Sequence, residues 1–358
     1  MFGSGNFALG GVLGIRDLGD TTDIVLVTRT PRSEKSQKQI DAIRTQSGYC
    51  VKPEGEEHSF FVPVEHVLFF DNESDFRRLT ELVRDTGVVI IGTSVGKGPQ
   101  PEIAAQIARL ISALGDLDGP PFVVFRFENE LAACWDEETF TDAGRRIYMP
   151  QLVVDRICRN MDVVFDSESG RPTLLVEPES YRRIDCALPD FGSELRGWTE
   201  QIRHFVESMQ IRVQTDIESY SLLKAWNING AQAVLCAYAQ YAGYEELQDY
   251  FGGIEHSRNI LANICEEYLE ASLALLPEIP EDEVIAFSRS SFNRLLSAKD
   301  RVGGILHQWE SDITAHQRKL ERRVGLVISY LDSVDRVVVA RGYKLLVDPP
   351  PKFRRLLE

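Results

Sequence analysis

Up to about residue 190, short runs of β-branched and aromatic residues alternate with amphipathic stretches, and beyond about Gly197 only helical patterns remain. The apolar runs fall at 24–27, 60–64, 66–70, 88–92, 122–127 and 173–176, with helical spacing between them at 33–44, 73–84 and 101–114. The last of these, "PEIAAQIARLISAL", opens with proline at its first turn and repeats apolar residues every three or four positions. Continuous apolar strands separated by helices imply a mostly parallel sheet covered on both faces. The later helical patterns cover 198–210, 219–242, 245–250, 257–276, 281–297 and 301–339. The expected architecture is α/β: a Rossmann-like, doubly wound domain over 1–195, then a mainly α-helical domain over 196–358. A chain of 358 residues is long enough for two cores.

Composition narrows the function. With 43% hydrophobic and 26% charged residues the chain is globular in profile, and its net charge of −16 opposes a nucleic-acid backbone. The basic ending "PPPKFRRLLE" is too short to reverse that, and reads as a docked tail. No run of apolar residues is long enough for a membrane span, and the start lacks a signal pattern, so a cytoplasmic protein is expected. The six cysteines (50, 134, 158, 186, 236, 265) form no C-x-x-C, and the six histidines form no H-E-x-x-H. No metal site is expected. The partner indicated is a small molecule, with oligomeric state open.

The N-terminus reads "MFGSGNFALGGVLG", in which Gly3, Gly5 and Ala8 have the G-x-G-x-x-A form, with Asn6 in the same loop. Glycines there permit a tight strand-to-helix turn and close approach of a pyrophosphate. The strand "DIVLVTRT" ends about 25 residues after Gly3, where an NAD site places an acid for the ribose hydroxyls. Here that place is taken by Thr28, Arg29, Thr30 and then Arg32, which suits a 2′-phosphate and points to NADP, with NAD as the second choice. The alternatives are a flexible glycine-rich start and solvated arginines. Only Met1 and Phe2 precede Gly3. The first strand is therefore expected either as a stub or as one cut short at the recorded start.

In the apolar stretch "LLKAWNINGAQAVLCAYAQYAGY" (222–244) stand Lys224, Asn229 and Gln232. At about 100° per residue the three fall within an arc of roughly 140°. Such an arc lets the three side chains face one pocket. The other account has Lys224 snorkelling to water and the amides satisfying backbone groups.

These segments together resemble the polyol-specific long-chain dehydrogenases, the mannitol dehydrogenase-like family. The likeness runs through "FGSGNFALG", "IIGTSVG" (90–96), "FENELAA" (127–133), "VVDRI" (153–157) and "LLSAKDRVGG" (295–304). It implies Lys224 as general base and Asn229 as a holder of the substrate oxygen. The family's third helix residue is a histidine eight positions after the lysine, where this chain has Gln232. A family asparagine four residues before the Asp of "VDRI" corresponds to Gln151. The implied activity interconverts a secondary alcohol and a ketone on a polyol or sugar phosphate; the alternative is a non-catalytic NADP-binding homologue.

Further candidates lie after the strands, where pocket residues of α/β folds collect. They are Ser94 and Gly96 in one loop, with Lys97 beside them read rather as a plain surface lysine, and Glu128 and Asn129 in another. Asn129 resembles the family's residue near the nicotinamide. Arg289 and Arg294 are candidates for a phosphate or polyhydroxyl substrate, with exposed helical arginines as the alternative. Asp155 and Arg156 read as structural partners, and His307 as an ordinary satisfied histidine.

Overall fold

The computed structural model describes residues 1–5, 7–15, 23–85, 89–95, 98–114, 122–127, 135, 147–155, 158–165, 171–178, 182–188, 196–298, 301–303, 305–306 and 321–347. They form two compact units, Met1–Ile217 and Glu218–Glu358.

In the first unit a π-helical segment, Phe7–Val12, is followed by β1 (Val25–Thr28), α1 (Glu34–Gln46), β2 (Gly48–Val51), β3 (Phe60–Pro63) and β4 (His66–Phe69). Next come α2 (Glu73–Asp85), β5 (Val89–Thr93), α3 (Gln100–Leu114), β6 (Phe122–Arg126), β7 (Ile147–Tyr148) and β8 (Gln151–Asp155). The unit ends with β9 (Cys158–Phe165), β10 (Pro172–Pro178), β11 (Arg183–Ala187), α4 (Arg196–Ser208) and β12 (Arg212–Val213). β1 pairs with β4, and β5 with β6 and β7, all in parallel. Strand alternation sends Val123, Phe125 and Phe127 into one apolar cluster, and Phe122 and Val124 into another. The first cluster includes Leu9, Ile40 and Ile43; the second includes Phe76, Leu79, Ile103 and Ile107. The parallel sheet is thus buried on both faces, as its unbroken apolar runs require.

Two smaller mixed sheets accompany it, ordered β3-β2-β10-β9 and β12-β11-β8. Most of their strands lack an apolar run in the sequence because they carry charge. In the second sheet Asp155 and Arg183 face each other across the β8–β11 ladder, and both are buried with Asp185. Arg183 Nε donates to Asp185 Oδ2 at 2.6 Å, and Gln214 Nε2 donates to Asp185 Oδ1 at 2.7 Å. Asp155 of "VVDRI" is therefore part of a buried strand pair.

The division between units falls after Ile217, beyond the boundary near 195 expected from the change in pattern. The reason is packing. Ile202 and Val206 of α4, with Met209 and Ile211 after it, belong to the first unit's core, and β12 pairs in parallel with β11.

The second unit begins one residue into α5 (Ile217–Lys224) and goes on with a π-helical segment Ala225–Gly230, α6 (Ala231–Tyr241), α7 (Leu247–Gly253), α8 (Ser257–Leu275) and α9 (Glu281–Leu296). A third π-helical segment, Glu321–Gly325, leads into α10 (Leu326–Ser333), followed by α11 (Val338–Val347). The helical pattern expected over 301–339 does not run through as one helix: α10 stops at Ser333, and Asp335 takes a left-handed φ of 57° before α11 begins. α6 packs on α8 and α11. Gly342 permits the second contact, since a Cβ there would lie 2.5 Å from Val234 Cγ1. Glu267 of α8, 3% exposed, accepts the backbone N–H groups of Val337, Val338 and Val339 at 3.1, 2.9 and 2.7 Å. A buried carboxylate thus caps the positive end of α11.

Candidate active site

The first strand of the parallel sheet is a stub. Phe2 bridges in parallel to both Val27 and Thr93. Its N–H donates to the Gly92 carbonyl at 2.7 Å, its carbonyl accepts from Ser94 N–H at 2.9 Å, and Gly3 N–H donates to the Val27 carbonyl at 3.0 Å. The spatial order is therefore β4, β1, stub, β5, β6, β7. In chain order this is 3-2-1-4-5-6, the doubly wound arrangement whose ligand crevice opens at the carboxyl ends of strands one and four.

Those ends are the stub and β5. Gly3 has φ +116°, and a Cβ on it would stand 2.4 Å from the Ser94 carbonyl oxygen, so the loop closes here only on glycine. Gly5 is different: a Cβ on it would meet nothing within 4 Å among the described residues. Ala8 is fully buried. At the end of β5, Thr93 and Ser94 are buried, and their hydroxyls have no hydrogen-bond partner among the described residues. Unspent hydrogen-bonding capacity beside an open glycine fits a dinucleotide. Asn6, Gly96, Lys97, Glu128 and Asn129 lie outside the described residues.

At the end of β1, Ser4 Oγ and Thr28 Oγ1 share a hydrogen bond of 3.0 Å. Together with Arg29, Pro31, Ser36, Gln39, Ile40 and Ile43 they line a small open cleft. Arg29 is paired with Glu102 of α3. Thr30 donates from N–H and Oγ1 to Asp71 Oδ1, both at 2.9 Å. Arg32 is exposed. Sequence reasoning missed both acids, Asp71 and Glu102, because they come from distant elements.

In the second unit, Lys224 ends α5, and Asn229 and Gln232 follow within and just after the π segment. From Leu223 to Ala237 every residue is buried except these three. Their alignment has a geometric cause. An α-helix returns to the same face after three or four residues, whereas a π turn hydrogen-bonds i to i+5. Lys224 is the N-cap of the π segment, so its carbonyl meets the N–H of residue 229. The wide arc expected from α-helical spacing is thereby closed up: the five-residue step from Lys224 to Asn229 spans one π turn, and the three-residue step to Gln232 one α turn.

The other candidates are spread out. Gln151 belongs to the first unit, where it is exposed at the start of β8 opposite Ala187. Arg289 is exposed and Arg294 half-buried on α9, which packs on the π segment. Five α-helical residues apart, they point about 140° from each other and do not form one clamp. Arg156, His307 and the basic tail lie outside the described residues. Among the described residues no group of three His, Cys, Asp or Glu side chains is arranged to hold a metal, and no helix is long and apolar enough to cross a membrane. Sequence reasoning also passed over Thr93, next to Ser94, and Asn227, inside the quoted stretch. Only burial reveals them.

No protein-family model matches the chain, and no curated protein sequence matches it. Among solved structures it is similar to D-sorbitol dehydrogenase in substrate-free form, with TM-score 0.63 and 16% identity over 97% of this chain and 79% of that one. It is also similar to Pseudomonas fluorescens mannitol 2-dehydrogenase in a ternary complex with NAD and D-mannitol, with TM-score 0.58 and 12% identity over 96% and 78%. At these identities the likeness is one of fold: this chain has the Rossmann-type α/β fold with a helical C-terminal region that these two dehydrogenases have.

Proposed function

We propose that the chain is an NAD(P)-dependent oxidoreductase interconverting a secondary alcohol and a ketone on a polyol or sugar phosphate, with Lys224 as general base. The observation that carries this reading is the face formed by Lys224, Asn229 and Gln232 on a helix otherwise buried from Leu223 to Ala237. A base and two amides in line match what oxidation of an alcohol asks of a protein. Lys224 takes the hydroxyl proton, the Asn229 amide donates to the oxygen as charge develops on it, and Gln232 orients a neighbouring hydroxyl.

In the first unit Gly5 leaves room for a pyrophosphate, and Thr93 and Ser94 offer hydroxyls to the dinucleotide. Thr28, Arg29 and Arg32 border the ribose end. NADP is favoured over NAD there by the two guanidiniums. A bound nicotinamide would supply the hydride acceptor and donor for this reaction. The likeness to a sorbitol and a mannitol dehydrogenase supports a polyol-type substrate.

A second reading, a dinucleotide-binding homologue without turnover, is favoured by Gln232. An amide can hold a hydroxyl but cannot carry a proton as imidazole does.

The test is a fluorescence titration with NADPH and NADH in parallel, then redox turnover on a panel of polyols and sugar phosphates. Tight NADPH binding with turnover supports the main reading. Binding without turnover on any panel member favours the second. Binding of neither cofactor defeats both.

A further inference from the structure

Asn227 lies inside the π segment and is 1% exposed. Its Nδ2 donates to the Leu223 carbonyl at 3.2 Å and to Ser272 Oγ of α8 at 2.9 Å. Ser272 Oγ in turn donates to the Tyr268 carbonyl at 2.7 Å. Both neighbours of the amide therefore act as acceptors, which fixes its nitrogen on their side. Oδ1 is left buried with no partner among the described residues.

An apolar side chain of the same size would avoid that unsatisfied acceptor. What the amide adds is a donor for the Leu223 carbonyl, at the point where the helix changes from i+4 to i+5 spacing. The other two π segments are held in a similar way. Tyr49 Oη donates to the Leu9 carbonyl at 2.8 Å, and Trp226 Nε1 donates to the Arg322 carbonyl at 2.8 Å.

We propose that Asn227 is a positioning residue whose buried amide pins the π turn to α8 through Ser272 and so holds Lys224 and Asn229 on one face. The functional weight of this rests on the reading of Lys224 as base; the geometry does not.

The test needs no substrate. In the full chain, Asn227→Leu and Ser272→Ala are compared with wild type by the trinitrobenzenesulfonate labelling rate of Lys224, with exposed Lys344 as internal reference. Amide hydrogen exchange is followed across 224–231, within α6 and within α8. The expected result is a Lys224 labelling rate shifted about threefold or more relative to Lys344, with exchange across 224–231 roughly tenfold faster and α6 and α8 unchanged. Wild-type labelling and exchange in Asn227→Leu overturn the proposal. Equal acceleration across α6 and α8 also overturns it, by showing a loss of general packing. Should Asn227→Leu not fold, Ser272→Ala decides, because it removes one contact and leaves the amide on Leu223. Full turnover in Lys224→Met alongside shifted labelling in Asn227→Leu would sink the catalytic reading and leave the positioning role standing.

Discussion

Asn229 stands one π turn beyond Lys224, so two polar side chains five residues apart share a face. In an uninterrupted α-helix the residue one turn after Lys224 would be Ile228, which here is 7% exposed and part of the buried side. The π segment amounts to one extra residue in the helical register, and that residue turns an isoleucine inward and an asparagine outward. π segments of this kind recur at functional sites, and this one follows directly on the proposed base, contains Asn229 and ends just before Gln232.

Lys224→Met keeps much of the side chain's length and removes its proton-accepting group. On the proposed reading, turnover of the best substrate falls by about 100-fold or more, the usual weight of a general base. NADPH affinity stays at the wild-type value. Steady-state rates and a fluorescence titration on the same preparation check both halves.

The parallel sheet was legible because burial on both faces leaves an unmistakable apolar run, as in "FVVFRF" of β6. Of the smaller sheets only β3 and β10 showed such a run; β11 did not, since Arg183 and Asp185 interrupt it with charges that only the folded chain pairs. Lys224, Asn229 and Gln232 stood out as polar residues in an apolar stretch, yet their alignment could not be read on a wheel of 100° per residue. A π turn has no compositional mark. Asn227 sits in the same stretch, and nothing in the sequence separates a buried asparagine from a half-exposed one.

The two loop glycines answer different questions. Gly3→Ala forces φ +116° on an L side chain and drives Cβ against the Ser94 carbonyl, at a cost of about 2 kcal/mol in stability. Gly5→Ala meets no described atom within 4 Å, so its melting temperature stays close to wild type. Its NADPH affinity nevertheless drops, because the methyl occupies the space proposed for the pyrophosphate. Thermal melts and titrations of the pair separate fold from ligand. Unimpaired NADPH binding by Gly5→Ala would remove the pyrophosphate from this loop.

The ribose end carries a competition. Arg29 is paired with Glu102, while Arg32 is exposed. Arg32→Ala is expected to weaken NADPH about tenfold and leave NADH unchanged, the effect of one charge-assisted hydrogen bond to phosphate. Glu102→Gln releases Arg29 and tightens NADPH by a few-fold. Equal changes for both cofactors would show that these side chains do not meet a 2′-phosphate.

Burial pushes the thiols of Cys186 and Cys265 up to about 12, against about 8.5 for a free thiol. In the folded chain both stay protonated across the range in which the unfolded chain ionises them. Stability is therefore unaffected by these groups below pH about 8.5, and is lost as pH rises from there toward 12. Each thiol adds a slope of about 1 kcal/mol per pH unit in that window. Urea midpoints between pH 8 and 10.5 should fall less steeply in the Cys186→Ala/Cys265→Ala double variant than in wild type. Parallel slopes would show that the thiols are not shielded.

Glu267 presents both carboxylate oxygens to three consecutive N–H groups at the start of α11. Glu267→Gln keeps the shape but replaces one acceptor oxygen with an NH2 group that faces a donor, and it removes the charge that complements the helix end. The expected cost is about 2 kcal/mol, typical of breaking a buried charge-assisted hydrogen bond and leaving its donor unsatisfied. The damage should be local. α11 packs on α6 through Gly342, so amides of α11 exchange faster first, while the first unit's sheet keeps its protection. Urea unfolding with exchange mapped by mass spectrometry reads both, and a uniform loss of protection across the chain would show that this cap is not a local clasp.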